Sequence, residues 1–337
     1  MEACIKATEY YLPERVISND DISKKFPEWT DEKIYSKVGI KNRHVSAENE
    51  TALDMAQKAA EKLFNTDLSL KGSVDFVLFC TQSPDYKLPT SACILQNRLG
   101  LGTNCGALDF NLGCSGYVYG LSIAKGLIAG GMAKNVLLLT GETYTKYIHP
   151  DDKGNISIFG DGASATIIST DGLLKIKDFE FGTDGSGAEE LIVRSSGCRN
   201  SSLINDAKVD EEGHIKSSDH LFMDGASIFS FTIKQVPKMI KNLLFKSRLT
   251  MEEIDYFAFH QANVFILEYL RKKQKIESKK FGYYIENVGN TVSSSIPILL
   301  TEKIKDGTLC NKRNVMLAGF GVGLSWAGCI LEGKKND

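Results

Sequence analysis

A chain of 337 residues, 42% hydrophobic and 24% charged, is long enough for one large globular domain or two ordinary ones. Its formal net charge of −2 supplies no global attraction to nucleic acid or to a membrane surface. No apolar run approaches the roughly 18 residues of a membrane span, and Met1-Glu2-Ala3-Cys4-Ile5-Lys6 carries charge where a signal peptide needs an apolar core. The cysteines (Cys4, Cys80, Cys93, Cys105, Cys114, Cys198, Cys310 and Cys329) form no C-x-x-C pair and no Cys/His cluster with zinc spacing. The expectation is a reduced, cytoplasmic, enzyme-sized protein with no metal site.

In chain order, the first clear strand pattern is a short aromatic-rich apolar run within residues 73–82, followed by a helix pattern. A second strand pattern covers 106–110, and an apolar helix pattern covers 118–129. Between them lies Asp109-Phe110-Asn111-Leu112-Gly113-Cys114-Ser115-Gly116-Tyr117. Cys114 is thereby expected at a strand-to-helix turn, where free backbone N–H groups and the helix dipole favour thiolate over thiol. The flanking glycines leave room for a substrate. A strand at 135–139 follows, and the Ser-, Gly-, Asp- and Asn-rich stretch 182–220 reads as a long loop able to cover an acyl tunnel.

The second half of the chain repeats this order. Residues 253–261 give another buried strand, ending in His260-Gln261. Gly289-Asn290-Thr291 opens an apolar helix pattern that ends near Asp306-Gly307, and a strand begins at Asn314. Two similar α/β halves, 1–170 and 171–337, are expected to pack about a pseudo-twofold axis. Cys114 and Asn290 then occupy equivalent helix starts. His260 lies at a strand end, where α/β proteins place chemistry. A cysteine, a histidine and an asparagine thus converge from distant parts of the chain. The thiolate attacks a thioester carbonyl, and the N–H of Cys114 with one from the turn Gly319-Phe320-Gly321-Val322-Gly323 holds the oxyanion. His260 and Asn290 supply donors for an enolate formed when a malonyl group loses CO2.

These residues resemble the β-ketoacyl-acyl carrier protein synthase III family of the thiolase-like superfamily. The resemblance runs through Val38-Gly39-Ile40 with Arg43-His44, Gly113-Cys114-Ser115-Gly116-Tyr117, Asp152-Lys153-Gly154 with Ile158-Phe159-Gly160-Asp161-Gly162-Ala163, His260-Gln261-Ala262-Asn263, Asn287-Val288-Gly289-Asn290 through Pro297, and the closing glycine turn. It implies a five-layered αβαβα fold of two duplicated halves, a homodimer and no cofactor. It implies a ping-pong reaction in which Cys114 is acylated and His260 and Asn290 promote decarboxylation of malonyl-carrier protein. Val322 supports the oxyanion, and Phe320 sits near Cys114 and favours decarboxylation. Leu88 matches a position that reaches into the partner subunit's acyl pocket.

The coenzyme A contacts of housekeeping members are altered. The family's tryptophan position is Lys33, with Trp29 nearby but out of register, and its arginine positions are Lys37, Lys153 and Phe265. Lysine lacks the planar bidentate fork of arginine, so the primer is expected on an acyl carrier protein or in a specialised lipid, polyketide or glycan pathway. In the basic run Arg271-Lys272-Lys273-Gln274-Lys275, Lys272 and Lys273 match carrier-docking positions. Two alternatives stand beside condensation: acyl transfer to an alcohol or amine on the same acyl-enzyme, and a non-catalytic subunit of a heterodimeric synthase. A thiolase needs a second cysteine near the last glycine turn, which offers Val322 and Ser325. A cysteine protease leaves the duplication unexplained.

Overall fold

The computed structural model describes residues 1–211 and 213–334. Nine strands hydrogen-bond in one continuous order: β1 (Cys4–Tyr11), β2 (Phe76–Cys80), β3 (Gly106–Phe110), β4 (Asn135–Glu142), β5 (Gly162–Ser169), β6 (Leu174–Thr183), β7 (Tyr256–Phe259), β8 (Asn314–Gly321) and β9 (Ser325–Gly333). Their spatial order is β7-β8-β9-β6-β1-β5-β4-β2-β3. The join between β6 and β1 is only two residue pairs long, Cys4 with Lys175 and Ile5 with Leu174. Two half-sheets therefore meet at a short seam.

Each half-sheet has the same pairing scheme. In the first, β1–β5 and β5–β4 are antiparallel, whereas β4–β2 and β2–β3 are parallel. In the second, β6–β9 and β9–β8 are antiparallel and β8–β7 is parallel. A parallel bridge from Phe257 to Phe281 takes the place of the fifth strand.

Strand alternation sorts the side chains into layers. Val77, Phe79, Leu137 and Leu139 join an outer cluster with helix α1 (Ala52–Thr66) and helix α2 (Ser91–Arg98). Their neighbours Leu78, Val136 and Leu138 face inward to helix α3 (Gly116–Ala129). The second half-sheet does the same. Phe257, Phe259 and Met316 pack outward on helix α4 (Gly225–Ser247) and helix α5 (Val264–Lys273). Val315 and Leu317 pack inward on α3 and helix α6 (Ser295–Lys305). The result is five layers: helices, sheet, α3 with α6, sheet, helices.

The sequence explains which helix goes where. Helix α1 is amphipathic, with Leu53, Met55, Ala56, Ala59, Ala60 and Leu63 buried and lysines and glutamates outside. Its start is fixed by a capping box between Thr51 and Asp54. Helix α3 is apolar on most faces, which suits only a layer covered on both sides.

Two local expectations change. Asn290 does not open a helix: a 3₁₀ turn (Val292–Ser294) intervenes, and α6 begins at Ser295. Helix α3 begins at Gly116, two residues after Cys114, so by helix register Ser293 rather than Asn290 is the counterpart of Cys114. Nor is 182–220 a bare loop. Gly182 still belongs to β6, Leu191–Ile192 pairs with Phe222–Met223, and Lys208–Val209 pairs with Ile215–Lys216. Among the described residues, no helix is long and apolar enough to cross a membrane.

Candidate active site

Cys114, His260 and Asn290 are all buried, at 5%, 1% and 5% exposure. Val292 ties the three together. Its side chain belongs to the apolar cluster around Cys114, with Tyr144, Phe159, Leu191 and Leu221. Its N–H donates to Asn290 Oδ1 at 2.9 Å, and its main chain meets the His260 ring. Val292 adopts φ +53°, a left-handed conformation that a β-branched residue rarely takes. Such strain costs on the order of 1–3 kcal/mol and persists only where the surroundings over-determine it.

The Asn290 loop belongs to the second half but is pinned to the first. Asn290 N–H donates to the Ile158 carbonyl at 2.9 Å, and Gly160 N–H donates to the Asn290 carbonyl at 3.0 Å. Ser294 Oγ shares a hydrogen bond with Thr140 Oγ1 at 2.7 Å, and Ser293 Oγ donates to Glu142 Oε1 at 2.9 Å. This gives the Ile158-Phe159-Gly160-Asp161 motif a physical role. Asp161 is fully buried and accepts from Ser46 N–H (2.8 Å) and Thr145 N–H (3.1 Å), fixing the segment that holds Asn290. With Oδ1 engaged by Val292, the Asn290 amide nitrogen is the end left to meet a ligand.

His260 follows β7. Its Nδ1 lies 2.7 Å from Ser295 Oγ, which also accepts from Gln261 N–H at 3.3 Å. The hydroxyl can donate to Nδ1 or accept from it, so both neutral tautomers are supported. Burial pushes the imidazole pKa down to about 3, with the Val292 backbone acting weakly the other way. The ring is therefore neutral at pH 7. The rest of the motif is structural: Gln261 Nε2 donates to the Phe259 carbonyl at 2.8 Å, and Asn263 Oδ1 caps α5 by accepting from Ile266 N–H at 2.8 Å. Phe320 is buried and meets the His260 ring edge-on, centroids 5.7 Å apart.

Cys114 departs from expectation in its ionisation. Burial pushes the thiol up to about 12, although the main-chain N–H groups of Val322 and of Cys114 itself pull it down. The resting group is a thiol, because desolvation outweighs what the turn provides. The same two N–H groups are those expected to hold an oxyanion. Only glycine fits at 321, since a Cβ there would lie 2.7 Å from Cys114 Sγ.

Sequence reasoning missed Glu142, at the end of β4. It is fully buried, accepts from Gln82 N–H (3.0 Å) and Ser83 Oγ (3.2 Å), and receives the Ser293 bond already described. Burial pushes its carboxyl up to about 8. Ser295 was visible only as part of a serine run.

The remaining expected residues lie outside the cluster around Cys114, and Lys33 and Lys153 meet at Glu28. Leu88 is 83% exposed on the loop before α2. Trp29, though out of register, is flanked by Lys33 and Lys37, whose ammonium groups lie 5.2 and 4.5 Å from the ring. Lys153 is held by Glu28 at 2.7 Å, and Phe265 packs on Phe229 with ring centroids 5.5 Å apart. In the last turn of α5, Arg271 is bonded to Glu268 at 2.8 Å, and Lys272 and Lys273 are both exposed, with Lys272 3.5 Å from the same carboxylate.

Known proteins share this frame. Residues 108–185 match the family model for 3-oxoacyl-[acyl-carrier-protein (ACP)] synthase III, and residues 244–333 match the model for its C terminal. The chain is 37% identical over 344 residues to the β-ketoacyl-[acyl-carrier-protein] synthase III of Lactococcus lactis subsp. cremoris (strain SK11), covering 98% of this chain and 99% of that one. This chain belongs to the β-ketoacyl-acyl carrier protein synthase III family. A crystal structure of a 3-oxoacyl-(acyl-carrier-protein) synthase III matches it with a TM-score of 0.96 at 48% identity, over 98% of this chain and all of that one. The synthase III from Thermus thermophilus matches with a TM-score of 0.86 at 31% identity, over 98% and 99% of the two chains. The five layers are the thiolase-like fold of these synthase III structures, and the family makes this chain a condensing enzyme.

Proposed function

We propose that the chain performs a decarboxylative Claisen condensation between an acyl thioester and malonyl-carrier protein, through an acyl group on Cys114. The observation that carries this reading is that Cys114, His260 and Asn290 all border the one residue Val292. In the first step the sulfur–carbonyl bond forms and the donor's thioester bond breaks. Because Cys114 rests as a thiol, its proton must leave during attack. With Nδ1–H donated to Ser295, His260 Nε2 can take that proton and pass it to the departing thiolate. The N–H groups of Val322 and Cys114 suit the oxygen of the tetrahedral intermediate.

The second step uses the other tautomer. With Ser295 donating to Nδ1, His260 Nε2–H and the Asn290 amide offer two donors to the malonyl thioester carbonyl. Loss of CO2 leaves its electron pair on the enolate, which attacks the acyl-Cys114 carbonyl and expels the sulfur as a thiolate, and a proton from solvent restores the resting thiol. A neutral imidazole donates here without a cation beside the departing carboxylate. Phe320 keeps one side of the ring dry. No cofactor enters the scheme. The exposed Leu88 supports a homodimer in which it reaches a partner's site, and Lys273 supports docking of an acidic carrier protein. The lysines around Trp29, with Lys153 held by Glu28, support a primer recognised mainly through its carrier.

The test is intact-protein mass spectrometry after incubation with acyl-coenzyme A and acyl-carrier thioesters, followed by malonyl-carrier protein. An adduct on Cys114 discharged into a product longer by two carbons, with release of CO2, is the expected result. An adduct that malonyl-carrier protein leaves untouched would point to acyl transfer onto another acceptor, and no adduct from any donor would point to a non-catalytic subunit.

A further inference from the structure

The cavity beside Cys114 is polar on one wall. It measures about 270 Å³ and is lined by Gln82, Asn111, Tyr144, Tyr147, Leu191 and Leu221, among others. Val322, whose main-chain N–H reaches Cys114, also lines the cavity, which places it next to the nucleophile.

Its polar wall is built. Tyr144 OH donates to Gln82 Oε1, and Gln82 Nε2 donates to Asn111 Oδ1 at 2.9 Å. Tyr147 OH donates to the Gln82 carbonyl at 2.9 Å, which fixes the backbone beneath. Gln82 stands close to the nucleophile, since a Cβ on Gly113 would lie 2.6 Å from Gln82 Oε1. The bonds described use one of the two Gln82 amide hydrogens and one Oε1 lone pair. Among the described residues the other hydrogen and lone pair take no hydrogen bond, which leaves them for whatever fills the cavity. A plain alkyl chain would strip water from these groups and return no hydrogen bond.

We infer that the primer is a short acyl group carrying a hydroxyl or keto oxygen within its first few carbons, recognised by Gln82 and Asn111. This rests on the acyl-Cys114 reading and names the substrate class of that site. A site that hydrogen-bonds a substrate oxygen discriminates more strongly than one that senses a methylene.

The experiment is the single-turnover rate of Cys114 acylation, read by intact mass, with butanoyl, 3-hydroxybutanoyl, 4-hydroxybutanoyl and 3-oxobutanoyl thioesters on one carrier. Acetyl thioester serves as the small control. The best oxygenated donor is expected to react at least tenfold faster than butanoyl. Gln82→Leu and, separately, the more exposed Asn111→Leu are expected to shrink that ratio at least fivefold, with circular dichroism and the thermal unfolding midpoint reporting that each variant is folded. Butanoyl reacting as fast as every oxygenated donor in the unaltered protein overturns the inference alone, provided that acetyl labels Cys114. Failure of all donors to label Cys114 overturns the acyl-enzyme reading beneath it.

Discussion

Glu142→Gln isolates the energetic cost of a buried acid. The carboxyl is raised by burial from an ordinary 4.5 to about 8. In the folded chain it keeps its proton up to about pH 8, whereas in the unfolded chain it loses it near 4.5. The folded state therefore binds more protons between these values, and stability must fall as pH rises through the window. At 1.36 kcal/mol per pH unit, the group costs roughly 3 to 4 kcal/mol between pH 5 and pH 8, approaching about 5 kcal/mol above pH 9. Glutamine preserves the contacts: its oxygen can accept from Gln82 N–H and Ser83, and its amide can donate to Ser293. Urea unfolding at pH 5, 6, 7, 8 and 9, with the two proteins compared at each pH, cancels groups common to both. The variant is expected to gain stability relative to the parent as pH rises, with most of the gain by pH 8. Parallel stability curves would mean that Glu142 is ionised or solvated in the fold, and would refute the reasoning.

Cys114→Ala should abolish acyl-enzyme formation, whereas His260→Ala and Asn290→Ala should retain some self-acylation but lose decarboxylation of malonyl-carrier protein. Intact mass and CO2 release read the two steps separately, and equal loss of acylation in all three would sink the assigned roles. Ser295→Ala removes the hydroxyl that serves either tautomer of His260, so both half-reactions should slow, each by about tenfold (roughly 1.4 kcal/mol); loss of one half-reaction alone would contradict a tautomer exchange. His260, held down to about 3 from an ordinary 6.5, contributes stability that is present above pH 6.5 and lost as pH falls toward 3, roughly 4 to 5 kcal/mol in all. His260→Gln should therefore flatten the acid limb of a stability–pH profile. Gly321→Ala would press a methyl group against Cys114 Sγ, and labelling of Cys114 by acyl donors should drop at least tenfold with little change in secondary structure by circular dichroism.

Much of this was legible because it rested on local chemistry. Periodicity located β2, β3, β4, β7 and β8 and the helices beside them, since buried strands leave short apolar runs. Glycine spacing marked the close approach of β8 to Cys114. The layers were less legible from pattern: inward and outward residues of a strand buried on both faces are equally apolar, and only the family resemblance pointed to five layers. Glu142 escaped because a lone acid after an apolar strand looks like a strand end at the surface. One of its hydrogen-bond partners, Ser293, lies 151 residues away. The thiol escaped for the opposite reason. The turn that favours thiolate was visible in sequence, but the apolar cluster that opposes it is assembled from Tyr144, Phe159, Leu191, Leu221 and Val292, which no local pattern brings together.

That opposition bears on how the two halves cooperate. Cys114 and its N–H belong to the first half, whereas His260, Asn290 and Val322 come from the second. Neither half holds a complete site, so the register between them must be fixed to within a hydrogen bond. The seam of the sheet cannot do this alone, because it is only two residue pairs long. The register is fixed instead at the Asn290 loop, by the bonds to Ile158, Gly160, Thr140 and Glu142. The strained Val292 sits where these restraints meet. A loop so constrained can hold its donors in place before substrate arrives, so little reorganisation is needed when negative charge develops on the enolate. The protonated Glu142 fits this arrangement: an ionised carboxylate buried near the sulfur would oppose the same negative charge that the site has to stabilise.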